Sequence, residues 1–442
     1  MGIALGTLQA LAFRVLGTFF LMLVGVITAR SLSVDDRGAF VNTTVVIAIA
    51  GSLAASFASA AGFFVSNKGI AAGKVASNSV IFSLAAGLAF LLAGVLLDQL
   101  LGGEKGRLAL LVGASLFPLM ARYAIGGVYL GEGRIARYSM ALHGHSYLTV
   151  AFLLTWVVLL DHRTVNDAVG AWILAQYVSL VLLMLSSPSW WAGLLRRPDF
   201  PLIWSFITFG TVTGLAGVVS FLNYRIDQLL VGAIEGDKGA GIYASAVVLA
   251  EGIWLFSTAI SVASYSRVGS VSLPEAADLT VRAVRHTWIT AALGMVAILI
   301  LANVAIIVVF GSRYEGAANS LRILCIGTAL YAPQAVISNY FSVALGRPAI
   351  SLSLASLSCV LGAIFSVILI PRLGYAGGAW STMISYAITS TLSTWIFVRM
   401  SHTKARDLLH YRRADFVAYI ELARALAAKF TPGNLAGART KP

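Results

Sequence analysis

Twelve apolar runs, separated by short polar segments, set the pattern of this chain. They cover about residues 8–29, 39–64, 76–97, 108–130, 138–160, 168–187, 203–233, 240–266, 285–310, 318–344, 349–370 and 376–398. Each is near the ~20 residues that carry a helix across about 30 Å of hydrocarbon. None shows the alternating ten-residue pattern of a membrane β-barrel. The predicted architecture is an all-α polytopic membrane protein of twelve transmembrane helices. Residues 402–430 depart from the pattern. Leu409, Phe416, Ile420, Ala423, Ala427 and Phe430 recur near helical spacing, flanked by Arg406, Arg412, Arg413, Arg424 and Lys429. That predicts a basic amphipathic helix on the membrane surface.

The pattern also repeats. Gly38-Ala39-Phe40 maps onto Gly241-Ile242-Tyr243 at an offset of 203, and Val169-Gly170-Ala171-Trp172 onto Gly377-Gly378-Ala379-Trp380 at 208. Six spans return the chain to its starting side, so the halves share one orientation. The expected organisation is a six-helix lobe over 1–200, a second over 201–400 and a cytoplasmic tail over 401–442. A parallel repeat of this kind places a substrate path between the halves.

Composition narrows the class. Charged residues make up 11% of the chain, against about 25% in soluble domains. The net charge of +13 does not point to nucleic acid, because the basic residues sit in short loops and the tail. With a cytoplasmic N-terminus, the inside segments and tail hold nineteen Lys and Arg and the outside loops eight, Arg30, Arg37 and Arg313 among them. Both termini are therefore expected inside. Cys325 and Cys359 lie in apolar runs and read as packing residues. Neither a metal-ligand cluster nor a nucleotide-binding loop is apparent; the chain reads as a non-enzyme without cofactor.

The candidate chemistry lies in the few charges inside the spans: Arg14, Arg122, Arg225 and Arg322 against Asp227 and Glu251. A charge at bilayer depth costs about 2.5–3.5 kcal/mol, so it faces a partner or a cavity. Arg225 and Asp227 are two residues apart, about 200° around a helix, and cannot pair along it. Glu251, in the next span, is the first candidate partner for Arg225. Either the set lines a substrate or ion site, or it is a buried pair that fixes helix packing. Guanidinium groups suit phosphate oxygens, so the arginine bias points to an anionic substrate. Arg14, Arg122, Arg225 and Arg322 are the candidate substrate contacts; Asp227 and Glu251, expected to hold Arg225 in one state, are the candidate gate or ion-coupling pair. The seventh run is longer than a bilayer needs; Gly210, Gly214 and Gly217 offer places to bend, and tilt would also absorb the excess.

Several motifs carry a resemblance: Arg225-x-Asp227-x-x-Leu230-x-Gly232, then Gly241-x-Tyr243-x-x-Ala246 leading to Glu251. Ala29-Arg30-Ser31-Leu32 with Arg37-Gly38-Ala39-Phe40, Tyr314-Glu315-Gly316-Ala317, Gly346-Arg347-Pro348 and Ile370-Pro371-Arg372-Leu373-Gly374-Tyr375 complete it. In order and spacing, over about residues 1–400, they resemble the polysaccharide-transport branch of the multidrug/oligosaccharidyl-lipid/polysaccharide exporter superfamily, which includes the O-antigen flippases. The resemblance implies a two-lobed flippase of the bacterial cytoplasmic membrane. It would move an undecaprenyl-pyrophosphate-linked oligosaccharide outward by alternating access. Its partners would be the lipid-linked anionic oligosaccharide, membrane lipids, and a polysaccharide polymerase or glycosyltransferases. A cation-coupled multidrug antiporter shares the fold and is the main rival. A lipid II flippase usually carries two further spans after the twelfth, where this chain has its charged tail. A scaffold in a polysaccharide assembly complex is the remaining class.

Overall fold

The computed structural model describes residues 2–195 and 198–410. Among them, nine helices are long and apolar enough to cross a membrane. The first six long helices are α1 (Gly2–Ser31), α2 (Val34–Ser66), α3 (Ala72–Leu101), α4 (Gly103–Gly131), α5 (Ile135–Phe152, extended by a wider turn over Leu153–Leu159) and α6 (Val165–Leu185). The stretch Phe200–Glu251 is broken at Gly236, whose φ of 73° leaves the helical region. It therefore forms α7 (200–235) and the start of α8 (237–251), which resumes as Trp254–Ser270. Then come α9 (Leu273–Val309), α10 (Ala317–Tyr331, continued by Gln334–Asn339 and Tyr340–Ala344), α11 (Pro348–Leu373), α12 (Tyr375–Ser401) and a short α13 (Ala405–Leu409). The fold is all-α and polytopic, with twelve long helices. The predicted tail helix lies beyond Leu409 almost entirely outside the described residues.

The helices run a few residues past the predicted spans because their ends are capped outside the apolar core. Ser33 accepts the amide of Asp36 at the start of α2, and Thr164 that of Asp167 at α6, each satisfying an orphan donor. Helix α9 begins twelve residues before the apolar run; Pro274 and Glu275 in its first turn suit a helix start. Inside the spans, prolines are matched by donors. Pro118 in α4 has no N–H for the carbonyl of Ala114, and the Tyr177 hydroxyl donates to that oxygen at 2.8 Å. Lipid-side positions recur at helical spacing: Leu293, Val296, Ile300, Val304 and Val308 of α9 are all exposed.

Two of the buried cores each draw mainly on one half of the chain. One joins α2–α6, with Phe57, Phe64, Ile125 and Tyr129; another joins α7–α12, with Tyr243, Phe310, Tyr314 and Leu321. Each borrows from the other half: Leu202 and Phe206 of α7 pack in the first, and Ala29 of α1 in the second. The seam between them is α2 running antiparallel to α7. The Phe63 and Phe209 rings stack at 5.1 Å, as do Phe57 and Phe206, and Ser56 Oγ donates to Gly210 O at 2.6 Å. A Cβ on Gly210 would meet the Phe57 ring at 2.5 Å, and one on Gly232 would meet Asn42 at 2.4 Å. The helix does not break at Gly210, Gly214 or Gly217: α7 stays helical until Gly236, and these glycines let α2 approach.

The repeat reappears as close packing. Gly38 lies against the carbonyl of Asp237, where a Cβ would be 1.7 Å from the oxygen. Gly241 lies against the carbonyl of Val34, with a Cβ at 2.5 Å. Each glycine's partner is the other's partner displaced by the same 203 residues. The two motifs pack against each other through these reciprocal contacts.

Candidate functional site

The break at Gly236 folds α8 back along α7 and brings position 251 beside position 225. Arg225 Nη1 meets Glu251 Oε1 at 2.5 Å and Nη2 meets Oε2 at 3.0 Å. This is the pairing expected from spacing, in the two-pronged form that a planar guanidinium favours. The side chains are 25% and 27% exposed, so the pair is only partly buried rather than sealed in the core. Glu251 is also the last residue of its helical segment; the chain loosens at Gly252 and Ile253 before Trp254.

Asp227 does not join them, and this corrects the expectation that it helps hold Arg225. Its Oδ2 accepts from the Tyr243 hydroxyl at 2.5 Å and the Thr382 hydroxyl at 2.7 Å, while Oδ1 accepts the Gln228 amide at 2.8 Å. It ties α7 to α8 and α12 on the buried side of the helix. Asn223, one turn earlier, donates to the Tyr331 hydroxyl at 3.1 Å.

The three described candidate arginines share no partner: Arg122, Arg225 and Arg322 each bond within a different helix pair. Arg122 is fully buried, donating to the carbonyls of Ala141 and Leu142 on α5 and lying 5.0 Å from the Tyr123 ring. Arg322, half-buried, reaches Leu299 O at 3.4 Å and Asn303 Oδ1 at 3.2 Å on α9. The Arg14 side chain lies outside those described. Among the described residues no hydrogen bond or ion pair links any two of these arginines.

Sequence reasoning missed a second cluster, at the end of the molecule where α1 meets α2. Arg37, counted as a loop residue, is 1% exposed. It donates to Gly241 O at 2.6 Å and to the Ser245 hydroxyl, with the rings of Phe310 and Tyr314 at 5.0 and 4.7 Å. Arg30 donates to the carbonyls of Val309 and Val308. Arg313 donates back to Leu32 O at 3.0 Å and Arg30 O at 3.1 Å. Three arginines thus clasp the first hairpin of one half to the ends of α8 and α9 and the α9–α10 turn of the other. The available signal was Arg37 beside Gly38 in the repeated motif, since a residue next to a close crossing is buried by it.

Helix α10 is interrupted at Ala332-Pro333, and the carbonyls near the break find side-chain donors. Trp254 Nε1 bonds Thr328 O at 3.0 Å, and Ser390 Oγ bonds Leu330 O at 2.7 Å. Two discontinuous helices, α8 and α10, therefore meet at Trp254. Interrupted helices near mid-membrane are where transporters place their sites. Among the described residues no group of His, Cys, Asp or Glu could hold a metal ion.

Neither the protein-family models nor the curated proteins give a match. Solved structures do. The lipid II flippase MurJ in an inward closed conformation superposes with a TM-score of 0.71 at 14% identity, over 97% of this chain and 93% of that one. A multidrug resistance MATE family transporter of the MOP superfamily matches in its inward-facing conformation with a TM-score of 0.69 at 18% identity, over 90% and 98% of the two chains. In an outward-facing conformation such a transporter matches at 0.63 and 16%, over 90% and 94%. Identities this low speak for shape alone: the chain has the fold common to MATE transporters of the MOP superfamily and to the lipid II flippase MurJ.

Proposed function

We propose that this protein is a flippase that carries a lipid-linked, anionic oligosaccharide across the membrane by alternating access of its two lobes. The supporting observation is the state of the acids inside the spans. Glu251 is held by Arg225, and Asp227 accepts from three donors. Arg122 and Arg37 are buried without a carboxylate partner. The excess buried charge is positive, which favours a pyrophosphate group over a drug cation.

In this reading the lobes are residues 1–200 and 201–400, with both termini on the cytoplasmic face of a bacterial inner membrane. The arginine clasp then closes the outer mouth, in keeping with the better superposition on the inward-facing transporter. Arg225, Arg322 and Arg14 attract the headgroup. Arg122 becomes available when α4 and α5 part. Release of Glu251 from Arg225, with Asp227 behind it, couples the cycle to a cation. A polymerase or glycosyltransferases would receive or supply the glycan.

Reconstitution in proteoliposomes tests this. Leaflet exchange of undecaprenyl-pyrophosphate oligosaccharide, lost in Arg225→Ala, is the expected result. Efflux of a cationic dye without lipid exchange would instead establish the antiporter that the MATE likeness allows. Lipid II as cargo in the same assay tests the reading that the MurJ likeness allows.

A further inference from the structure

Beside the ion pair lies a cavity of about 350 Å³ between α7, the interrupted part of α10 and the start of α11. Its size falls in the lower part of the ~300–1,000 Å³ range of small-molecule sites, with room for a mono- or disaccharide. One wall is a face of α7, with Ser220, Asn223 and Tyr224 at helical spacing; Tyr331, Gln334 and Ser338 face it from α10. None of its lining residues carries a formal charge.

Two amides are set for a ligand. Asn223 and Gln334 are 5% and 6% exposed. Each spends its NH2 on a protein hydroxyl: Asn223 on Tyr331 at 3.1 Å, Gln334 on Ser338 at 3.4 Å. The oxygens, Asn223 Oδ1 and Gln334 Oε1, have no partner. Both oxygens are covered in this state; a buried acceptor left unmade costs about 1–3 kcal/mol, so both gain from a ligand that brings hydroxyl donors once the cavity wall shifts to admit them. Two aromatic rings, Tyr224 and Tyr331, line the cavity, each backed by a second ring outside it. Tyr331 stacks on Tyr386 at 4.3 Å, and Trp254 lies 5.2 Å from the Tyr224 ring. Orphaned amide acceptors, hydroxyls and ring faces without a charge match a sugar ring, which offers hydroxyl edges and an apolar C–H face. A phosphate lacks a cation here. A drug cation lacks a carboxylate, since Glu251 is already held by Arg225.

We infer that this cavity is a glycan subsite, taking neutral sugar units of the carried oligosaccharide while the arginines attend to its anionic end. The inference rests on the flippase reading and deepens it. The experiment uses the full-length chain in nanodiscs, with Cys325→Ala and Cys359→Ala and a reporter Ser338→Cys alkylated by a maleimide. Neutral disaccharides of hexose and of N-acetylhexosamine, at millimolar concentration, slow alkylation about tenfold or more, and Gln334→Leu abolishes the protection. Ser351→Cys on the opposite wall is the second reporter if the first is not labelled. Absence of protection by any of the disaccharides, or protection by tetraphenylphosphonium alone, overturns the subsite. Protection without lipid exchange in proteoliposomes keeps the subsite and removes the flippase reading; exchange without protection does the reverse.

Discussion

The two lobes bury an arginine in opposite ways. In the first, Arg122 is sealed between α4 and α5 and satisfied by backbone carbonyls. In the second, Arg225 is only partly buried and matched by a carboxylate. Carbonyl dipoles neutralise no charge, so the first arrangement serves packing and can change only if helices part. An ion pair can exchange one partner for another, and the second arrangement is the one suited to a moving site. At the repeat's offset of 203, Met22 and Ala48 stand where the second half has Arg225 and Glu251.

The sharpest way to break this contrast is to remove one member of the pair. Glu251→Ala leaves Arg225 without compensation, and a loss of about 3–5 kcal/mol is expected in equilibrium unfolding in bicelles. The double variant Arg225→Ala/Glu251→Ala should recover part of that loss; strictly additive losses would dissolve the energetic link. Next in size is Gly38→Ala, which drives a Cβ into the Asp237 carbonyl. A cost of about 1–3 kcal/mol is expected, with the same sign for its repeat mate Gly241→Ala. Gly25→Ala, whose nearest neighbour is 3.8 Å away, serves as the near-neutral control. Arg122→Met conserves volume and strands no acid, so it should cost less than about 1.5 kcal/mol in the same assay. A loss as large as that of Glu251→Ala would erase the distinction between the lobes.

The smallest effect concerns the joint between the halves. Asp199 caps α7 through the Leu202 amide at 3.0 Å, meets Lys74 of α3 at 2.6 Å, and its own amide donates to Asn78 at 2.8 Å. The Lys74 ammonium and then the Leu202 amide hold its carboxyl below the usual carboxylate range. A depressed folded pKa adds stability that is full above the unfolded value of about 3.9 and fades as pH falls through the folded one. The melting difference between the native chain and Asp199→Asn should therefore be small and constant near neutrality, and close below about pH 4. A difference that persists in acid would assign the effect to helix capping rather than to charge.

Much of this was written along the chain. Apolar runs located every long helix, because membrane length and backbone satisfaction leave few alternatives. The Arg225–Glu251 pair followed from the rule that an intramembrane charge needs a partner and from a spacing that ruled out Asp227. What stayed hidden depends on distant elements meeting. Arg37 was indistinguishable from a loop arginine until Gly38 and Gly241 brought the halves into contact. The cavity at Asn223 and Gln334 requires α7, α10 and α11 to be neighbours, and polar residues over a hundred positions apart do not announce that. Gly210 to Gly217 looked like flexibility and proved to be a contact surface.

The arginine clasp also has a history in time. Arg30 and Val309 are separated by 279 residues along the chain. At roughly 5–20 residues per second, the ribosome needs on the order of half a minute after making the first hairpin before its partners emerge. Throughout that interval Arg37 has neither Ser245 nor the rings of Phe310 and Tyr314, and its charge must be kept in contact with water or lipid headgroups. The first hairpin is thus inserted provisionally, and its depth in the bilayer is settled only when the end of the ninth helix arrives.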